Sequence, residues 1–116
     1  MSSQQSVVTI FRSRLREDHV DEYREWNRRM GELAQSMKGF VSIETYKGSD
    51  GARVSIVEFE SMATNVAWRD HPEHRQAQAL GRERFYAEYR ITVCTRVREA
   101  AFQNEPAPDA ESAAER

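Results

Sequence analysis

Trp68, His71, His74, Arg82 and Tyr86 put an indole, two imidazoles, a guanidinium and a phenol on one short stretch of a chain with three histidines in all. An imidazole moves protons near neutral pH, an indole offers a flat face with one N–H, and an arginine fork grips a carboxylate or phenolate. Such a mixture suits the wall of a small-molecule cavity. Asn65 lies three residues before Trp68, on the same face if the segment is helical, and its amide can donate to a substrate carbonyl or oxyanion. We therefore take Trp68, His71 and Asn65 as candidate catalytic residues. His74, Arg82, Tyr86 and Phe11 are the candidate substrate-binding residues.

Other readings compete. His71 and His74 are three apart and can share a divalent metal on a helix, but Pro72 interrupts that geometry and no third ligand stands at matching spacing. We expect no metal. A reading without chemistry makes His71-Pro72 a helix junction, with one imidazole capping backbone groups and the other solvated. Arg82 has Glu83 and Glu88 as ordinary ion-pair partners nearby. Cys94 sits among alternating strand residues, which suggests a buried small hydrophobe. No nucleophile–base pair, phosphate loop or dinucleotide fingerprint is present.

The elements that must position these groups follow from pattern. Residues 6–15 are β-branched and aromatic enough for a strand. Val20, Tyr23, Met30 and Met37 recur at helical spacing over about 17–37, with charge opposite and Gly39 as the stop. Residues 40–47 and 52–60 alternate around Gly48-Ser-Asp-Gly51, which predicts a hairpin. Ser61 is placed to cap a helix over about 62–70, and Pro72 to open another to about 81. Residues 89–98 read as a last strand.

The order βαββαβ predicts an α+β, ferredoxin-like fold with a four-stranded antiparallel sheet. Its strands are apolar on both sides: Val54 and Ile56 against Val57 and Phe59, and Val41 and Ile43 against Phe40 and Tyr46. Two helices cover only one face of such a sheet, so a homodimer packed sheet to sheet is expected to cover the other.

Composition excludes several classes. The chain of 116 residues has 17 basic and 19 acidic side chains, a net charge of −2. Residues 103–116 hold four carboxylates and one arginine, so the rest carries 16 basic and 15 acidic side chains. Such a body has no charge excess to draw it to nucleic acid or an anionic membrane. No apolar run approaches the roughly 20 residues that cross a bilayer. The N-terminus lacks the pattern of a signal peptide, and one cysteine fits a reducing compartment, so a cytoplasmic location is expected. We read 1–99 as one folded domain and 100–116 as a disordered acidic tail rich in Ala and Pro.

The βαββαβ order, Gly39-Phe40 at the second strand, Val54-Ser-Ile-Val-Glu-Phe-Glu60, and Trp68…His71-Pro72…His74…Ala77-Gln78…Phe85-Tyr86 together resemble the antibiotic biosynthesis monooxygenase family. The resemblance covers about residues 6–98 and implies a dimeric α+β barrel. It further implies oxidation of an aromatic phenol, anthrone or quinol by molecular oxygen, without a cofactor, in a dry pocket that stabilises the phenolate. Trp68, Asn65, His71, Arg82 and Tyr86 are the groups that can fill those roles. A haem-degrading branch of the family is the alternative. It carries an axial His about ten residues after the helix Trp and an Asn on the first strand, where this chain has Gln78 and Ser13. A small-molecule-binding or stress-associated dimer with no catalytic role is a third reading.

Overall fold

The computed structural model describes residues 5–104. Four strands, β1 (Val7–Leu15), β2 (Phe40–Lys47), β3 (Arg53–Phe59) and β4 (Tyr86–Thr95), form one sheet in the order β2-β3-β1-β4, antiparallel at every pairing. Helices α1 (Val20–Ser36), α2 (Met62–Arg69) and α3 (Pro72–Leu80) lie on one side of it. This is the ferredoxin-like α+β arrangement expected from the element order.

The side-chain parity of the strands decides what faces the helices. Thr9 pairs with Val57 and Val93, and Ser13 with Arg53 and Tyr89, so these residues share the helix-facing side. The core on that side is Phe59, Val57, Ala34 and Trp68, with Met37, Phe40 and Ile43 packed against it. The opposite face carries Val8, Ile10, Val54 and Ile56, with no helix over it among the described residues. Glu58 also lies there, buried beneath Arg96, whose guanidinium donates to both carboxylate oxygens at 2.5 and 3.0 Å.

Several boundaries differ from the pattern reading. Helix α1 starts at Val20, after His19 in the left-handed region (φ 61°), because Arg16 and Asp18 tie the preceding residues into a turn. A bulge between Phe40 and Ser42 puts Phe40 and Ile43 together in the core and leaves Val41 exposed, so Val41 does not share a side with Ile43. The last strand runs from Tyr86 to Thr95, not 89–98, because a π-helical turn over Gly81–Phe85 ends early enough to release Tyr86 into the sheet. Cys94 is exposed, not buried, since β4 is an edge strand and Cys94 faces the side without helices. The expected tail lies outside the described residues beyond Asn104.

Gly39 is required where α1 turns into β2. Its φ is +86°, and a Cβ there would sit 2.6 Å from the Thr64 side chain. That close approach holds the start of α2 against the start of β2. Among the described residues, no helix is long and apolar enough to cross a membrane.

Candidate active site

Between the sheet and the three helices lies a cavity of about 410 Å³, within the usual range for small-molecule sites. Helix α2 supplies one end. Its start is fixed by a capping box in which Ser61 Oγ accepts from the Thr64 backbone N–H and Thr64 Oγ1 accepts from that of Ser61. With the start fixed, Asn65 and Trp68 both turn toward the sheet. Asn65 is 2 % exposed and its Nδ2 donates to Thr9 Oγ1 at 3.0 Å. The Trp68 indole stacks on Phe59 at 5.1 Å, and its Nε1–H is buried without a partner. A buried donor left unpaired is costly, by about 1–3 kcal/mol. It is the group on this wall with most to gain from a ligand acceptor.

Helix α2 ends at Arg69 and the chain breaks through Asp70 and His71 before Pro72 opens α3. His71 is the N-cap of α3, its Nδ1 accepting from the Glu73 backbone N–H at 3.1 Å. His71, expected among the catalytic groups, does not line the cavity, and its ring is spent on the helix start. His74 takes the place at the wall. Its ring lies 4.6 Å from that of Trp68, and its Nδ1 is 3.3 Å from the Arg69 carbonyl oxygen and 3.2 Å from Gln78 Nε2. The first contact needs Nδ1–H and the second a bare Nδ1, so only one operates in a given tautomer. Burial pulls the His74 pKa below its ordinary value, with the nearby His71 acting the same way and the Arg69 carbonyl opposing. His74 is therefore a neutral imidazole at pH 7.

The other end is aromatic. The π-helical turn closes with Tyr86 N–H donating to Gly81 O, five residues back. That turn aims Arg82, Phe85 and Tyr86 at the cavity. Phe11 meets the edge of Tyr86 at 5.3 Å and lies 5.5 Å from Tyr89, while Tyr23 meets Tyr86 at 6.0 Å. Burial, chiefly, raises the Tyr86 pKa far above its ordinary value, so its phenol stays protonated and serves as a donor. Arg82 does not pair with Glu83 or Glu88. Its Nη1 reaches Tyr89 Oη at 3.5 Å, and Glu88 belongs to Arg14. Tyr89, Ile91 and Val93 line the cavity yet are 37–46 % exposed, so it opens along β4.

Six of the seven sequence-derived candidates thus share one cavity: Phe11, Asn65, Trp68, His74, Arg82 and Tyr86. Pattern reading missed Thr9, Tyr23 and Arg53. Thr9 and Arg53 had a signal, because each is a polar residue at a core-facing strand position. Gln78 and Ser13, the residues at the haem branch's ligand positions, both line the wall. The imidazole that does line it, His74, packs on Trp68 and has its hydrogen-bonding contacts at Nδ1. Among the described residues no group of three His, Cys, Asp or Glu side chains can hold a metal ion.

A ferredoxin-like α+β domain with a largely apolar, small-molecule-sized cavity between sheet and helices defines the class of protein. The chain belongs to the antibiotic biosynthesis monooxygenase family, whose sequence profile matches residues 6–80. It is similar to YqjZ of Bacillus subtilis, an uncharacterised protein, at 33 % identity over 81 residues, covering 70 % of this chain and 71 % of that one. In structure it is similar to Rv0793 of Mycobacterium tuberculosis, with a TM-score of 0.73 at 23 % identity over 83 % of this chain and 99 % of that one. It is also similar to SnoaB, a cofactor-independent oxygenase of Streptomyces nogalater, with a TM-score of 0.65 at 14 % identity over 89 % of this chain and 99 % of that one. At these identities the structural likenesses establish the fold.

Proposed function

We propose that this protein is a cofactor-independent monooxygenase that oxidises an electron-rich aromatic, a phenol, anthrone or quinol, with molecular oxygen. The observation that carries the proposal is the unpartnered Trp68 Nε1–H in a wall shared with Asn65 and a neutral His74. Family membership supports the reaction class, as does the likeness to a cofactor-independent oxygenase.

In this mechanism His74 Nε2, which has no hydrogen-bond partner among the described residues, takes a proton from the substrate. The Trp68 N–H and the Asn65 amide then hold the negative oxygen that develops. The electron-rich anion passes one electron to O₂, and the two radicals combine to form a C–O bond. The resulting hydroperoxide loses water as its O–O bond breaks, leaving a carbonyl. For an anthrone the balance is one substrate and one O₂ in, one quinone and one water out. The chain's part is to orient, to exclude water and to hold the anion.

The test is oxygen uptake with an anthrone in chelator-treated buffer. We expect turnover, reduced at least about tenfold in kcat/KM by Trp68→Phe and by His74→Ala, the loss of roughly one positioned donor or base. Turnover that survives both substitutions would place the chemistry elsewhere.

We also infer that the protein works as a homodimer, in a reducing compartment such as the cytoplasm. The uncovered sheet face, with Val8, Ile10, Val54 and Ile56 along its centre, supports a sheet-to-sheet association.

A further inference from the structure

The cavity's charge is one-sided. Among the described residues, no Asp or Glu lines it, whereas Arg53, Arg69 and Arg82 do. Arg69 is answered by Asp70 at 3.0 Å. Arg53 and Arg82 have no carboxylate partner among the described residues. Arg53 lies over the Tyr23 ring at 5.6 Å, and Arg82 has its long contact with the Tyr89 hydroxyl. Asp50, in the adjoining cleft, is held by Arg14 at 3.1 Å, and Glu17 also lies in that cleft outside the cavity.

Both arginines are linked to one row of the sheet. Arg53, Ser13 and Tyr89 are register partners across β3, β1 and β4, and Arg82 touches the Tyr89 hydroxyl. Ser13 is 6 % exposed, and its hydroxyl makes no hydrogen bond with the described residues. A hydroxyl open to the cavity, in a lining that carries two guanidinium groups without carboxylate partners, suits an anion. Thr9, the partner of Asn65, is four residues along the same strand, or about 13 Å at 3.3 Å per residue.

We propose that the ligand is an aromatic carboxylate, its carboxylate received by Arg53, Arg82 and Ser13 and its reacting ring lying toward the other end of the cavity, at Asn65 and Trp68. A fused-ring aromatic with the acid at one end lies along that axis. A carboxylate is planar and accepts from guanidinium forks, and the apolar floor between the two ends, with Phe11 at its centre, receives the rings. Arg53 is on this account the specificity-determining residue, since its loss leaves the row with Arg82 alone. The inference rests on the cavity being the small-molecule site of the proposed oxygenase.

Binding, not turnover, tests it. Anthracene-2-carboxylate and anthracene-2-carboxamide, matched in shape, are titrated against the full chain and followed by tryptophan quenching. We expect the carboxylate to bind at least tenfold more tightly. That ratio should fall about tenfold in Arg53→Gln, recover in Arg53→Lys, and be unchanged in the exposed control Arg75→Gln, with thermal melts confirming that each variant is folded. Equal binding of the two probes, binding of neither, or a ratio indifferent to Arg53→Gln overturns the inference. Selective binding without oxygen uptake would instead sink the oxygenase reading and leave the anion site standing.

Discussion

The rings of Trp68 and His74 lie 4.6 Å apart although they belong to different helices. On one continuous helix, residues six apart would face away from each other. The break at Asp70 and His71 re-aims the chain, so that the third residue of α3 returns to the indole. Two consequences follow for the histidines, one for each.

His74 is held neutral by burial, so it should link stability to pH. Its folded pKa lies below the unfolded value of 6.5, which means the unfolded chain binds the proton first as pH falls. The contribution is whole above pH 6.5 and is lost as pH drops below that value and through the lowered folded pKa. Urea unfolding at a series of pH values between 7.5 and 5 should show stability falling with acidity. His74→Gln should flatten that slope relative to the native chain. An equal slope in the variant would show that His74 is not the linked group.

His71 should matter to stability and not to chemistry. Its Nδ1 answers one of the free N–H groups at the start of α3. Removing a helix cap costs about 1 kcal/mol, so His71→Ala should lower the unfolding free energy by that order. His71→Asn or His71→Ser, each able to accept from the same N–H, should restore it. Oxygen uptake by these variants should match the native chain under conditions where all are folded. A selective loss of turnover in folded His71→Ala would return the residue to the mechanism.

Much of this was legible from residue types. Periodicity marked out every strand and helix, because the two repeats differ and the polar faces are cleanly charged in α1. Ser61 and Gly39 announced their helix boundaries through side-chain capping and left-handed geometry, both local effects. The bulge at Val41 and the π-helical turn at Gly81–Phe85 were not legible. Each is a one-residue slip settled by tertiary packing, Phe40 against Phe59 in the first case and Tyr86 against Phe11 and Tyr23 in the second. Pro72 marked the helix junction, and the structure gives the capping role there to His71. Arg53 carried only the signal of a polar residue at a core-facing strand position, and its place beside Ser13 is set by the β1–β3 register.

Gly81 should be intolerant of any side chain. A Cβ at this position would come 2.6 Å from Tyr86 Cε2 and 2.9 Å from Cδ2. The Tyr86 ring cannot swing aside freely, since Phe11, Tyr23 and Tyr89 surround it. Gly81→Ala should therefore cost about 1–3 kcal/mol by overpacking. It should also raise KM for an aromatic substrate as the ring is pushed into the cavity. Gly81→Ala with Tyr86→Leu should recover part of the stability, and additive losses in that pair would show that the clash is not what the single variant suffers.

The uncovered sheet face makes the last prediction. Ile10 and Ile56 are register partners at the centre of that face, and the Arg96–Glu58 pair closes one end of it. If two copies bury these residues against each other, light scattering after size exclusion should report twice the chain mass at micromolar concentration. Ile10→Asp puts a charge where the partner's Ile56 or Ile10 would lie, and should shift the mass to that of one chain. Arg12→Ser, an exposed change on the same strand and face, serves as the control for strand integrity and should stay dimeric. The cavity lies on the other side of the sheet, so monomeric Ile10→Asp should still quench on binding an aromatic ligand. A native chain that is monomeric at micromolar concentration would instead leave an apolar strip facing water, and the homodimer reading would fail with it.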